Sequence, residues 1–145
     1  MKIASILAAC ALAAAGCVSV TDSGTNVPDT RHANRLVVQV SDNDPAKWNL
    51  ALNNARNVQT DLGEKNVEIE IVAYGPGLNM LKAGSPVAQR IDESMMNGMK
   101  IVACENTMKA QKVTRDQILP GVGYVPAGVV EIMHRQQQGW AYLRP

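Results

Sequence analysis

The sequence predicts an α/β fold built on a mostly parallel sheet of about five strands with helices on both faces. Three observations carry this. Short Val- and Ile-rich runs alternate with amphipathic segments about four times between residues 35 and 145, and such alternation makes parallel strands joined by crossover helices. The segments between the runs open with helix-start signals, Asp44-Pro45 and Ser85-Pro86. The length of 145 residues suits one domain, and 46% apolar against 19% charged residues gives it a core to fold around. With no Phe, two Trp and three Tyr, that core must come mainly from Val, Ile, Leu, Met and Ala.

The elements follow in order. "RLVVQVS" (35–41) reads as a buried strand. In the next segment Trp48, Ala51, Leu52, Ala55, Val58 and Leu62 recur at steps of three and four, the stripe of an amphipathic helix that Gly63 ends. "VEIEIVAY" (67–74) alternates at first and then turns fully apolar, a second strand, and "GPGLNML" is a turn. A helix is expected from Ser85, with Val87, Ile91 and Met95 inward. "KIVAC" (100–104) is a third strand, "ENTMKAQK" a short helix and "TRDQILPG" a further helical turn. "VGYV" (122–125) is a short strand. "PAGVVEIMHRQQQG" is a helix expected to turn Val129, Ile132 and Met133 inward, and "WAYLRP" closes the sheet.

The first residues carry a different signal. "MKIASILAACALAAAGC" pairs one positive charge, Lys2, with an apolar stretch from Ile3 to Ala15. That stretch falls short of the ~20 residues a spanning helix needs and fits the core of a secretory signal peptide. "LAAAGC" is similar to a bacterial lipobox, which would make Cys17 the lipidated N-terminus of the mature chain. Ala14 stands where Leu is usual, and an ordinary signal cleaved near Ala13 to Ala15 is the alternative. Cys10 fits the apolar stretch itself. Residues 18–34, rich in Ser, Thr, Asn and Asp, read as a flexible tether that includes His32. The expected setting is the periplasmic side of a bacterial membrane, with a lipid anchor.

Loss of Lys2 with the leader leaves acidic and basic residues balanced. Without a basic block and with few aromatics, the chain lacks the features of nucleic-acid binding.

In parallel sheets, chemistry collects beyond the carboxyl ends of the strands. Three loops leave such ends: Ser41 to Asp44, Tyr74 to Gly77, and Cys104 to Thr107. Cys104 stands where strand gives way to helix, so free backbone N–H groups of residues 105–107 can face its sulfur and stabilise a thiolate; Glu105 opposes this. The alternative is a buried cysteine packed as a small hydrophobe. With no C-x-x-C and no second cysteine in the domain, internal dithiol chemistry is excluded. A zinc site would need more ligands than Cys104, His134 and scattered carboxylates supply, so no metal is expected. His134 reads as a half-exposed structural histidine, and Asp44 as a cap rather than part of an acidic pocket with Asp42. The glycines of "YGPG" and "GVGYVPAG" fit no nucleotide-binding motif; they would let the backbone approach whatever binds at Cys104.

"YGPG", "AC-x-N-T-M" and "LPGV…VPAG…QQ-x-G-W-A-Y", in this order, resemble the DsrE/DsrF-like family over about Leu36 to Pro145. The resemblance implies a three-layer α/β/α fold and subunits that assemble, commonly as trimers or hexamers. It implies that Cys104 occupies the place of the cysteine that carries a persulfide between sulfur donor and acceptor proteins, with no cofactor. Tyr74, Gly75, Gly77, Asn106 and Thr107 match the family pattern and are expected to line the same pocket. The export signal sets this chain apart from cytoplasmic sulfur-relay members. Two other roles therefore stand beside sulfur transfer: a non-catalytic oligomeric binding module of the envelope, and a thiol redox sensor.

Overall fold

The computed structural model describes residues 34–145. The leader, Cys17, His32 and the tether up to residue 33 lie outside the described residues; Asn34, read as the end of the tether, opens the first strand.

Five strands form one all-parallel sheet: β1 (Asn34–Val40), β2 (Val67–Ala73), β3 (Lys100–Cys104), β4 (Gly123–Val125) and β5 (Ala141–Leu143), in the order β4-β3-β2-β1-β5. The connecting helices are α1 (Pro45–Leu62), α2 (Ala88–Met96), α3 (Glu105–Gln111) and α4 (Gly128–Gln137). The order explains the layers. From β1 to β4 the chain steps across the sheet in one direction, so right-handed crossovers place α1, α2 and α3 on one face. After β4 it reverses to reach the far side of β1, which sends α4 to the opposite face.

The two faces are unequal. Leu36, Val38, Ile69, Ile71, Ile101 and Ala103 point to the first face and pack with Trp48, Ala51, Leu52 and Ala55 of α1, Ile91 of α2 and Met108 of α3. Each fully buried side chain of this size contributes ~1.5–3 kcal/mol, so this layer dominates stability. On the second face Val37 and Val72 meet Ile132 and Trp140 in a small cluster. Glu70 is also buried on this face, between the sheet and α4.

Local signals act largely as the sequence suggests. Asp44 caps α1, its Oδ1 accepting from Ala46 N–H at 2.9 Å, with Pro45 in the first turn. Two elements differ. The Ser85 hydroxyl accepts from Val87 N–H in a turn, and α2 begins only at Ala88. In α4, Ile132 is inward, but Val129 is 61% and Met133 48% exposed. Gly128 meets the sheet first, so the inward positions are the next ones at helical spacing, Ile132 and then Arg135.

"GPGLNML" forms a 3₁₀ segment, Gly75–Leu81, that buries Gly77, Leu78, Met80 and Leu81. It fits because Gly77 has no side chain: a Cβ there would lie 2.3 Å from Val40 O and 2.9 Å from Ser41 Cα. Backbone cannot yield as a side chain end can. Gly77→Ala should destabilise the domain by about 3 kcal/mol and lower Tm by on the order of 10 °C. Thermal unfolding followed by circular dichroism checks this; an unchanged Tm would show that the segment packs differently.

Candidate functional site

All five strands run the same way, so their carboxyl ends share one edge of the sheet. The direction of winding switches between β1 and β5, where ligands of open α/β sheets often bind. Here that place is filled. Asp42 contacts Lys47 at 3.1 Å and Arg144 at 3.4 Å, and its carbonyl accepts from Trp48 Nε1 at 2.7 Å. The open site lies at the ends of β2, β3 and β4, around Cys104.

Cys104 is the last residue of β3, and α3 starts at the next residue. Its side chain occupies the N-cap position that Ser or Asp usually fills, and Sγ accepts from Thr107 N–H at 3.4 Å. The first residue of α4 supplies a second donor: Gly128 N–H lies 3.2 Å from Sγ. The Thr107 hydroxyl oxygen accepts from Gly75 N–H at 2.9 Å, which leaves its proton free to face the sulfur. Burial by itself pushes the thiol up. Hydrogen bonds from the Thr107 side chain and from the backbone N–H groups of Gly128 and Thr107 outweigh it, and the net effect holds Cys104 below the ordinary thiol range. Glu105 carries less weight against this than its position suggests, because Arg115 pairs with it.

Gly128 permits this approach. A Cβ on it would meet Tyr74 Cβ at 3.0 Å, Val72 Cγ1 at 3.2 Å and Cys104 Cβ at 3.3 Å. Helix α4 therefore sits directly on the thiol, which is free and only 4% exposed. Beside it opens a hollow of about 340 Å³. Tyr74, Gly75, Asn106 and Thr107 all line it, together with Ala127, Gly128 and Val129, and no charged side chain does. Gly77 does not reach the hollow; it packs against Val40 and Ser41 as described above.

The remaining sequence candidates do not join the site. Asp44 is the α1 cap. His134 is exposed in the second half of α4. Among the described residues no group of three or more His, Cys, Asp or Glu is placed to hold a metal ion. Nor is any helix there long and apolar enough to cross a membrane. Sequence reasoning placed the backbone N–H of residue 107 at the sulfur but gave Gly128 no contact with the thiol and the Thr107 hydroxyl no task. The signal for Gly128 was its place at the start of a helix, where a free N–H meets a position without a side chain.

These donors can be tested singly. Thr107→Val removes the hydroxyl and keeps the backbone N–H; Gly128→Ala pushes the start of α4 off the sulfur. Each should raise the pH at which Cys104 ionises, by about one unit for the loss of one hydrogen bond to a charged group, as read from thiolate absorbance against pH. An ionisation midpoint equal to that of the native protein in both variants would contradict the donor assignment.

Comparison with known proteins bears on the family and the fold. The family model described as DsrE/DsrF-like matches residues 34–145. Among solved structures, the MTH1491 protein of Methanobacterium thermoautotrophicum, of unknown function, is 38% identical, with a TM-score of 0.74 over 77% of this chain and 99% of its own. The BT1422 protein of Bacteroides thetaiotaomicron, also of unknown function, is 18% identical, with a TM-score of 0.64 over 77% and 95%. The ychN protein of E. coli shares the fold at 9% identity, with a TM-score of 0.60 over 77% and 98%. No curated protein matches the chain. With its all-parallel three-layer fold and the family match across the whole described domain, the chain belongs to the DsrE/DsrF-like family.

Proposed function

We propose that this protein is a sulfur carrier whose Cys104 thiolate accepts sulfane sulfur and passes it on as a persulfide. The observation that carries this reading is the pair of N–H donors converging on Sγ from Thr107 and Gly128, at the mouth of a hollow without charged groups. Membership in the DsrE/DsrF-like family points to the same class of chemistry.

The chemistry balances without an added oxidant. The Cys104 thiolate bonds to the outer sulfur of a donor persulfide. The donor's S–S bond breaks, and its electron pair leaves on the inner sulfur as a thiolate. An acceptor thiolate then attacks the sulfur held on Cys104, and Cys104 departs as a thiolate. A lowered thiol pKa serves both steps, since it keeps the nucleophile ionised and makes it a good leaving group. The leader and Cys17 support a periplasmic, lipid-anchored setting for this exchange.

A second reading rests on a different surface. Val129, Val130 and Met133 of α4 are 61%, 43% and 48% exposed. An apolar helix face of this kind suits contact with further copies of the chain, as in a trimer or hexamer. In that reading the protein is a binding module, and Cys104 is packing.

Cys104→Ser separates the two. Incubated with an organic persulfide donor, the native chain should gain the mass of one sulfur and lose it to an added acceptor thiol. The Cys104→Ser chain should gain none at this site and keep its oligomeric state. A native chain that takes up no sulfur would refute the carrier reading and leave the binding module.

A further inference from the structure

Glu70 is the buried charged side chain of the described core, 1% exposed, and the thiol chemistry makes no direct use of it. It lies in the middle of β2, on the face that α4 covers. Arg135 of α4 reaches it, Nη2 to Glu70 Oε2 at 2.7 Å, while Arg135 Nε lies 2.8 Å from Glu131 Oε1. The guanidinium also rests over Trp140, 4.7 Å from the ring centre. These are close charge contacts without good hydrogen-bond alignment, since both Glu70 oxygens and Arg135 Nε lack a directed partner. One cation thus faces two carboxylates, and the fully ionised cluster buries a net negative charge. Burial pushes the Glu70 carboxyl up, to about 7; Arg135 opposes this and Glu131 adds to it. The other charged groups on this side are Glu68 and Lys100, joined to each other across β2 and β3, and Arg35 of β1, which donates to Gln138 O.

Helix α4 connects this cluster to the thiol. Its first residue, Gly128, donates to Cys104 Sγ, and Arg135 lies near its other end. Between them Ile132 is the helix's buried apolar side chain. With one buried apolar side chain between them, the Gly128 and Arg135 contacts fix how the two ends of the helix sit on the sheet.

We propose that Glu70 is a positioning residue for Cys104: its carboxyl is buried beneath the far end of α4 beside Arg135, and its proton sets how firmly that end is seated and Gly128 is held on the sulfur. The proposal rests on the reading of Cys104 as the reacting thiol. The direction follows from linkage. With α4 seated, burial favours the protonated carboxyl; with α4 lifted, Glu70 meets water and ionises near its ordinary value of 4.5. This hold on α4 is therefore at full strength below about pH 4.5 and is lost as pH rises through about 7. Over that span the lifted fraction rises on the order of a hundredfold. Lifting removes the Gly128 N–H from Sγ and uncovers a thiol that is otherwise buried.

The test follows amide hydrogen exchange along α4 and alkylation of Cys104, both against pH, in the full chain. Protection of α4, corrected for intrinsic exchange, should fall as pH passes through about 7. The alkylation profile should show a step there in addition to the ionisation of the thiol itself. Glu70→Gln, which cannot ionise, should remove both steps. Glu131→Gln keeps the Glu70–Arg135 contact without the competing carboxylate and should move both steps to lower pH; it decides the matter if Glu70→Gln does not fold. Flat α4 protection in the native chain, or steps left in place by both substitutions, would overturn the proposal. A thiol that takes up no sulfur beside an intact α4 step would refute the carrier and support the hold of Glu70 on α4.

Discussion

The hydrogen bond from Gly128 N–H to Cys104 Sγ ties the parts of this domain together. It joins the end of β3 to the start of α4, segments that meet only because the chain reverses direction after β4. It also puts the end of a helix on a sulfur that α3 already caps through Thr107. Two helix starts on one atom offset the cost of burying a thiolate, which neither would do as well alone. The contact needs a residue without a side chain, because Tyr74, Val72 and Cys104 already fill the space a Cβ would take.

The inequality of the sheet's faces gives this contact its setting. The face under α1, α2 and α3 holds nearly all of the apolar core. The other face has a small apolar cluster and an ion cluster built on Glu70. Helix α4 is thus held by little apolar burial, with Ile132 its buried apolar side chain. The reactive sulfur lies under that helix, at its first residue, and the hollow beside it gives a donor a way in.

Much of this was legible in the sequence. Strand and helix order, the Asp44 cap and the place of Cys104 all follow from periodicity and local chemistry, which act over a few residues. What was not legible depends on long-range placement. Val129 and Met133 look like a core stripe, yet they face out because Gly128 fixes the rotation of α4. Gly77 sits in the same motif as Gly75 but packs against β1 instead of the hollow, a contact between segments far apart in sequence. Glu70 stands in a run that turns apolar, and its reason is Arg135, 65 residues on, which no local pattern reveals. A carboxylate inside a strand bound for burial was the one available sign.

The central claim is that the protein holds Cys104 as a thiolate by aiming N–H groups at its sulfur. The most direct test is the thiolate absorbance of the full chain against pH, taken as the difference from the Cys104→Ser chain. The account predicts ionisation below the ~8.5 of an ordinary cysteine. Ionisation at or above that value would mean that burial prevails over the donors, and Cys104 would then be a packing residue.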